Sequence, residues 1–366
     1  MQKNNKGWEI DLLPVIESSK SADCILLRFG DLFNAKENQN VFIIDGGFSE
    51  TAQSVKEHLK KYYNCYWNGK YHITCAFLTH TDLDHISGLV SLFEDEEVEI
   101  NNLVTNVPWK NLTPKWFNDG RITKDSLIGN LEDAFGKLYR LVTLAEEQGC
   151  KLFLGVDNLN GLNCGDAKIH ILGPTKTFYN TCMANCEKTR EQSDKVEVLD
   201  TTQVSSTGNE IPYIKGKMEW PEKDSTSPIN ESSLVFVFEF DGVKILFTGD
   251  AGRRGLEEAF EYADEHCIEL KDVAIIKIPH HGSRHNVYPE LFDRFTATSR
   301  TCYISCSAEE EGHHPSKMLV NMLNEKGFRV LTTSGSTLHR SKNAPDRGWS
   351  KANPVPSYSK IEELEQ

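Results

Sequence analysis

The segment Thr79-His80-Thr81-Asp82-Leu83-Asp84-His85 places four metal-binding side chains within six residues, directly after the apolar run at 73–78. A strand end presents alternate side chains on one side, so we expect His80 and Asp82 to project together. The turn into a following helix would aim Asp84 and His85 elsewhere. One short segment can therefore serve two adjacent metal ions. Helix capping would explain one or two acidic residues, but not the two histidines that flank them.

Two later segments also end predicted strands with ligand-type side chains. Gly249-Asp250 follows the second strand of a predicted hairpin, where the glycine permits a sharp turn and the aspartate reaches the rim of the sheet. Pro279-His280-His281-Gly282-Ser283 follows another apolar run. Adjacent histidines point in different directions, so we expect one to bind metal and the other to contact substrate or a ligand.

A fourth segment, Gly312-His313-His314-Pro315-Ser316, precedes a predicted helix. Taken singly, the three later segments have ordinary explanations: a turn aspartate, a buried histidine pair and a helix start. Together with residues 79–85 they place hard and borderline ligands at the ends of several elements. This coincidence indicates a metal-dependent active site.

The remaining patterns predict two similar halves of strands and helices. We predict strands at 24–28, 41–44, 73–78, 164–172, 232–240, 243–248, 273–279, 302–305 and 328–332. We predict helices at 49–63, 84–93, 131–148, 256–264 and 318–326. Asp241-Gly242 favours a type I′ hairpin turn. The order indicates an α/β (α+β) protein with two sheets packed face to face and helices outside.

Composition limits the domain organisation and the partners. The 366 residues are 39% hydrophobic, enough for a large core, and no apolar run approaches the roughly 20 residues of a membrane helix. We predict one domain over 1–340, with a polar insertion or lid at about 175–228, and a loose tail at 341–366. The net charge of −14 argues against non-specific binding to nucleic acid or anionic membranes. The ten cysteines form no CxxC pair and the N-terminus has no signal-peptide pattern, so we expect a reduced, cytoplasmic protein.

These motifs resemble those of the metallo-β-lactamase superfamily, and the version present in this chain resembles the soluble hydrolase domain of ComEC-type competence proteins. The likeness rests on residues 80–85, 249–250 and 279–283, and it extends to Ile44-Asp45-Gly46-Gly47, Asn230-Glu231-Ser232-Ser233-Leu234-Val235 and Gly312-His313-His314-Pro315. The resemblance implies an αββα sandwich of two mixed β-sheets flanked by helices. It also implies a dinuclear metal site at the sheet edges.

Carried over residue by residue, the resemblance assigns ligands to both ions. The implied ligands are His80 and Asp82 for the first ion, Asp84, His85 and His280 for the second, and Asp250 as a bridge. His280 is preferred to His281 because the order His-x-Gly-Ser resembles members in which the first histidine binds metal. The superfamily usually has histidines where this chain has Asp82 and Asn230. These harder ligands weaken selection for Zn²⁺ and favour Mn²⁺ or Mg²⁺.

The activity that the resemblance implies is metal-dependent hydrolysis of a phosphodiester, in single-stranded DNA or another nucleotide, by a metal-bridging hydroxide. Asp84 would orient that hydroxide, and Asp45 would orient a ligand histidine. His281 or His314 would protonate the leaving oxygen or hold a phosphate. The candidate contacts to substrate or to the first ion are Asn230, Ser283 and Arg284.

Two other functions are compatible with the same residues. One is hydrolysis of an ester, thioester or lactone, because the fold does not fix the substrate. The other is a non-catalytic binding or assembly module. Because the chain is acidic, a partner protein could supply the basic surface that a nucleic-acid substrate needs.

Overall fold

The computed structural model describes residues 6–14, 20–34, 36–116, 123–159, 161–190, 210–216, 220–221, 226–307 and 314–363. The strands of the N-terminal part are β1 (Lys6–Leu12), β2 (Cys24–Asp31), β3 (Gln39–Gly46), β4 (Tyr66–Trp67), β5 (Lys70–Ile73), β6 (Cys75–Phe77), β7 (Val98–Ile100), β8 (Asn102–Thr105), β9 (Lys151–Leu154), β10 (Leu162–Cys164) and β11 (Ala167–Gly173). The strands of the C-terminal part are β12 (Glu210–Pro212), β13 (Val235–Phe240), β14 (Val243–Phe247), β15 (Ile275–Lys277), β16 (Thr301–Ile304), β17 (Arg329–Thr332), β18 (Leu338–Lys342) and β19 (Lys360–Glu362).

The helices alternate with these strands. They are α1 (Thr51–His58), α2 (Leu83–Glu94), α3 (Pro108–Asn111), α4 (Lys124–Ala134), α5 (Gly136–Glu147), α6 (Lys176–Asn185), α7 (Glu187–Arg190), α8 (Pro228–Glu231), α9 (Arg253–Glu265) and α10 (Lys317–Glu325). Within the described ranges, no helix is long and apolar enough to cross a membrane.

Two seven-stranded mixed sheets have matching organisations. The first has the order β18-β1-β2-β3-β6-β8-β9, and the second β10-β11-β13-β14-β15-β16-β17. In each sheet the first four strands pair antiparallel, and the last four pair parallel. The predicted hairpin is β13–β14, and Asp241 and Gly242 have φ values of 46° and 75°, as a type I′ turn requires.

The inner faces of the two sheets form one buried core. Phe77 stacks on Phe236 with ring centroids 4.7 Å apart, and Phe29 lies 5.0 Å from Phe238. The outer face of the first sheet packs against α1, α2, α4, α5 and α6, and that of the second against α9 and α10. Helices therefore cover both outer faces, which confirms the predicted αββα sandwich.

Several elements differ from their predicted forms. The run at 73–78 is split between β5 and β6, because Thr74 bonds its N–H to Val41 and places the two strands in different sheets. The predicted helix at 131–148 is two helices that meet at Phe135 and Gly136. The polar stretch predicted as a lid contains α6, whose Tyr179 packs into the core; the rest of that stretch is described only in part.

Described residues of the predicted C-terminal tail make specific contacts with the sandwich. Arg347 lies beside the buried carboxylates of Glu9 and Asp11, with N–O distances of 2.7 and 3.1 Å. Val355 also donates its N–H to Val330 at 2.9 Å. The sequence did not indicate this anchoring, because ion pairs and backbone hydrogen bonds fix the segment and leave no hydrophobic pattern.

Helix α2 packs directly on the backbone at the end of β3, and this contact positions residues 80–85. Gly88 donates its N–H to the Gly47 carbonyl at 2.9 Å. A Cβ on Gly88 would lie 1.9 Å from the Gly46 carbonyl oxygen, and the obstructing atoms belong to backbone. Only glycine permits the helix to approach the strand this closely.

Replacing Gly88 with alanine should therefore destabilise the protein. The overlap cannot be relieved by a side-chain rotation, so we expect a loss of about 1–3 kcal/mol in urea unfolding. Gly129→Ala is the matched control, because Gly129 is also helical and a Cβ there meets nothing within 4 Å. The control should gain roughly 0.5–1 kcal/mol from helix propensity. Equal stability of the two variants would contradict the close contact.

Candidate metal centre

The predicted ligands meet where parallel strands of both sheets end. Residues 79–82 follow β6, Asp250 follows β14, and His280 and His281 follow β15. Strands that run parallel present their carboxyl ends at one edge, which is where α/β proteins commonly bind ligands. Gly249 has a φ of 51°, and a Cβ there would lie 2.7 Å from Thr79 Cβ. The tight turn thus brings Asp250 against the loop of the opposite sheet.

The carboxylate of Asp250 lies at the centre of four imidazoles. Its Oδ2 is 3.4 Å from Nε2 of His85, 3.9 Å from that of His281, and 4.0 Å from those of His80 and His280. Asp250 is 2% exposed. One buried oxygen therefore faces ligand-type nitrogens supplied by both sheets.

Asp45 fixes the orientation of two of these histidines. It accepts hydrogen bonds from the N–H of Thr79 at 2.8 Å, from the Thr79 hydroxyl at 2.7 Å and from His85 Nδ1 at 2.8 Å. Because the Thr79 hydroxyl gives its proton to Asp45, its oxygen accepts from His80 Nδ1 at 3.1 Å. Both rings therefore carry a proton on Nδ1 and turn Nε2 toward Asp250.

The other two histidines are held in the same tautomer. His281 Nδ1 donates to the Ser305 carbonyl at 3.0 Å, and His280 Nδ1 contacts Asn286 Oδ1 at 3.1 Å. The Asn286 amide donates in turn to the Asp250 carbonyl at 2.9 Å. In all four rings, the nitrogen that faces Asp250 is the one available to bind a metal.

These residues fit a divalent metal ion. Asp84, His85, Asp250 and His281 offer four ligand atoms within 4.8 Å of one another. Two ligands of one tetrahedral ion with bonds of about 2.1 Å are about 3.4 Å apart. Here Asp84 Oδ2 lies 3.1 Å from His281 Nε2 and 3.6 Å from His85 Nε2. The Nε2 atoms of His80 and His85 are buried without a hydrogen-bond partner in the described structure, which a metal bond would remedy.

The electrostatics of the cluster also favour a cation. Burial would raise the pKa of the Asp250 carboxyl, but the imidazoles of His85, His280 and His281 hold it well below its usual range. Burial would lower the pKa of His85, but Asp250 and Asp84 raise it above its usual value. The carboxylates are thus charged at neutral pH and require positive charge beside them.

The geometry separates the two candidate second-site histidines. His281 belongs to the four-residue cluster with Asp84 and His85, whereas His280 approaches only Asp250 among these residues at the distances given above. This arrangement favours His281 as the partner of Asp84 and His85, the reverse of the preference drawn from the sequence order. Asp82 lies at the more open side, with its Oδ2 3.6 Å from His80 Nε2.

The remaining candidates surround the cluster at different depths. Asn230 is buried on α8, and its Oδ1 has no hydrogen-bond partner among the residues described. Ser283 turns its hydroxyl to the N–H of His285 at 3.2 Å. The His314 ring lies 5.7 Å from that of His280. His313, quoted with the same motif, lies outside the described residues. Arg284 is buried, and not solvated, beside Glu362.

The sequence patterns did not predict one buried ion pair behind the cluster, between Asp23 and Lys277. Asp23 Oδ2 lies 2.5 Å from Lys277 Nζ, and Asp23 Oδ1 lies 3.8 Å from His281 Nδ1. Both residues are buried, so the pair joins the first sheet to the second beneath the metal ligands. The sequence signal was a lone lysine within the apolar run at 273–279. A charged residue in such a run requires a buried partner.

No protein-family model matches the chain. ComE operon protein 3 of Bacillus subtilis (strain 168) is 28% identical over 125 residues, which are 34% of this chain and only 15% of that protein. Among solved structures, CmlA, a diiron β-hydroxylase from Streptomyces venezuelae, is 14% identical with a TM-score of 0.42, covering 91% of this chain and 54% of that one.

Two further solved structures show similar levels of likeness. A diphosphatase from the PhnP family is 11% identical with a TM-score of 0.40, covering 91% of this chain and 97% of that one. A long-form RNase Z from yeast is 11% identical with a TM-score of 0.38, covering 81% of this chain and 36% of that one. At these identities and scores, the likenesses carry no information about substrate.

The paired sheets and the ligand-type residues at their shared edge agree with the αββα sandwich and the metal site that the resemblance to the metallo-β-lactamase superfamily implies. The stretch that is 28% identical to ComE operon protein 3 agrees with the resemblance to ComEC-type proteins, and it covers only part of either chain.

Removing the charge of Asp45 should weaken metal binding. In Asp45→Asn, an amide NH₂ would replace an acceptor, so the variant cannot accept from Thr79 N–H, Thr79 O–H and His85 Nδ1–H together. We expect a 10- to 100-fold loss of Mn²⁺ or Zn²⁺ affinity, a typical cost for residues that orient ligand histidines. Competition with a chromophoric chelator would measure it.

The control is Asp11→Asn, which makes the same change at an equally buried carboxylate. Asp11 accepts from His58, Tyr63 and His339, away from the metal cluster. This variant should lose stability but retain metal affinity. If Asp45→Asn binds metal as the wild type does, the orienting role of Asp45 is wrong.

Proposed function

We propose that this protein is a metal-dependent hydrolase that cleaves phosphodiester bonds, in single-stranded DNA or another nucleotide. The observation that carries the proposal is the position of Asp250, whose Oδ2 lies 3.4–4.0 Å from four imidazole Nε2 atoms. A carboxylate in this position can bridge two ions. Two divalent ions would provide a nucleophile from water near neutral pH and offset charge on a phosphoryl oxygen.

We assign the chain's residues to two sets that share Asp250. The second ion would be held by Asp84, His85 and His281, which form the compact cluster. The first would be held by His80 and Asp82, with the Nε2 of His280 within reach from the other side of Asp250. His280 and His281 exchange places relative to the sequence-based assignment because His281 Nε2 lies 3.1 Å from Asp84 Oδ2 and belongs to the compact cluster.

The substrate class is inferred from the oxygen-rich ligands. Three of the proposed ligands are carboxylates, and Asp82 and Asn230 both stand where relatives usually have histidine. Oxygen ligands suit Mn²⁺ and Mg²⁺, the ions used with phosphate oxygens. The ions would also offset the local negative charge of an acidic chain, so that an anionic substrate can approach. A partner protein with a basic surface would assist with long strands.

The remaining residues would position substrate and move protons. With His281 held to Asp84 and Ser305, the His314 imidazole beside His280 is the better placed group to protonate a leaving oxygen. Asp84 Oδ2 lies 3.1 Å from His281 Nε2 and the residue is partly exposed, so its second oxygen can orient the attacking water. Arg284 lies in the same loop as His280 and His281, and it is a buried cation that could bind a phosphate.

Substituting Asp84 or Asp250 with alanine should abolish phosphodiester cleavage. Each change removes a carboxylate from the cluster, and we expect at least a 10³-fold loss of kcat/KM on bis(p-nitrophenyl) phosphate in Mn²⁺. A panel of single-stranded DNA, duplex DNA, RNA, a cyclic nucleotide, a thioester and a lactone would define the substrate. Wild-type turnover of the lactone or thioester alone, or full activity in either variant, would overturn the proposal.

The assignment of the two histidines can be tested separately. His281→Ala should lose the ion held with Asp84 and His85, whereas His280→Ala should retain it and weaken the other. Metal content measured by inductively coupled plasma mass spectrometry after dialysis against a weak chelator would show this difference. If His280→Ala is the variant that destabilises the Asp84 ion, the geometric assignment is reversed.

A further inference from the structure

The N-terminus of α10 lies directly beside the metal-bearing loop. Ser316, which precedes the helix, donates its N–H to the Gly282 carbonyl at 3.0 Å. Gly282 follows His280 and His281, and His314 contacts the His280 ring from the same segment. A group bound at the start of α10 is therefore next to the site where a substrate phosphate would be cleaved.

A carboxylate of the chain itself occupies this helix end. Glu362, on β19, accepts hydrogen bonds from the N–H groups of Lys317 at 2.6 Å and Met318 at 3.2 Å, and from the Ser316 hydroxyl at 3.3 Å. The first N–H groups of a helix lack intrahelical partners and attract anions, including phosphates. The side chain of Glu362 thus fills a ready-made anion site.

Arg284 provides a second, independent indication of a ligand. It is only 6% exposed, yet its Nη1 has no hydrogen-bond partner within the described structure. That atom is directed at Glu362, whose Oε2 lies 3.8 Å away, too far for a hydrogen bond. The Glu362 carboxylate, bound to the helix end, thus forms an ion pair with this guanidinium but no hydrogen bond to Nη1. A phosphate has more acceptor oxygens, and could satisfy the helix N–H groups and the guanidinium together.

We propose that Arg284, Ser316 and the first N–H groups of α10 form a subsite for a substrate phosphate adjacent to the one that is cleaved. Glu362 occupies the subsite in the free protein, and an incoming strand displaces it. This inference rests on the proposed phosphodiesterase function and specifies its substrate: a chain with at least two phosphates.

The strand that carries Glu362 is suited to displacement. β19 pairs only with β12 among the described strands, through three residue pairs. A two-stranded ribbon is marginally stable alone. Ile361 of β19 is itself buried, and this contact would return the ribbon to the same position when the phosphate leaves. The C-terminal strand therefore competes with substrate without belonging to the catalytic cluster.

The test compares binding of a fluorescein-labelled, phosphorothioate-linked single strand of DNA to the metal-loaded full chain by anisotropy. Glu362→Gln retains an oxygen for the helix N–H groups but loses the competing charge, so its affinity should rise about fivefold. Arg284→Gln should weaken binding about tenfold. In the double variant the gain from Glu362→Gln should disappear. Glu363→Gln makes the same charge change one residue along and should bind like wild type.

Thermal unfolding of each variant would identify any that fails to fold, and hydrogen exchange of the wild type supplies an independent readout. Adding the strand should increase exchange at residues 360–362, because Glu362 is released. Inorganic phosphate tested alone would show whether one phosphate suffices.

The inference is overturned if Glu362→Gln binds no more tightly than Glu363→Gln, or if exchange at 360–362 is unchanged by saturating strand. Because the probe resists cleavage, binding is scored without turnover. If the protein cleaves bis(p-nitrophenyl) phosphate but Glu362→Gln does not change strand binding, only the subsite is refuted. An inactive protein whose strand binding still depends on Arg284 and Glu362 would refute the proposed chemistry and leave the subsite standing.

Discussion

The arrangement of the candidate metal ligands depends on the three hydrogen bonds that converge on the Asp45 carboxylate. Two come from Thr79 and one from His85, and all three residues are buried. Through the Thr79 hydroxyl the same carboxylate also sets the tautomer of His80. A buried acceptor that takes three donors has little freedom to rearrange. Without it, neither imidazole would reliably present an unprotonated Nε2 to the ions.

The fold brings this carboxylate together with Thr79, His80 and His85, whose side chains it orients. Asp45 lies at the end of β3, and α2 lies against the backbone of the same strand end, with glycine at both sides of the contact. Asp250 arrives from the other sheet through the turn at Gly249. The Asp23–Lys277 pair joins the sheets beneath. Ligands far apart in sequence are therefore fixed relative to one another by backbone contacts and buried charges.

Much of this arrangement could be predicted from sequence because its signals are local. The apolar runs, the Asp241-Gly242 turn and the ligand-bearing segments each follow from neighbouring residues. β1 could not be predicted, because its buried Glu9 and Asp11 break the apolar pattern and are neutralised by Arg28 and Arg347. The choice between His280 and His281 also depends on three-dimensional position, since adjacent residues in a turn have no fixed relative direction. The anchoring of residues 341–363 could not be predicted either, because it depends on ion pairs and backbone hydrogen bonds between residues far apart in sequence.

Asp250 is proposed to bridge two divalent ions held by side chains of both sheets. Anomalous diffraction from crystals grown with Mn²⁺ tests it most directly. Two anomalous peaks are expected about 3.5–4 Å apart, one on each side of Asp250 Oδ2, with His85 and His281 beside one and His80 beside the other. A single peak away from Asp250, or no peak at saturating Mn²⁺, would contradict it.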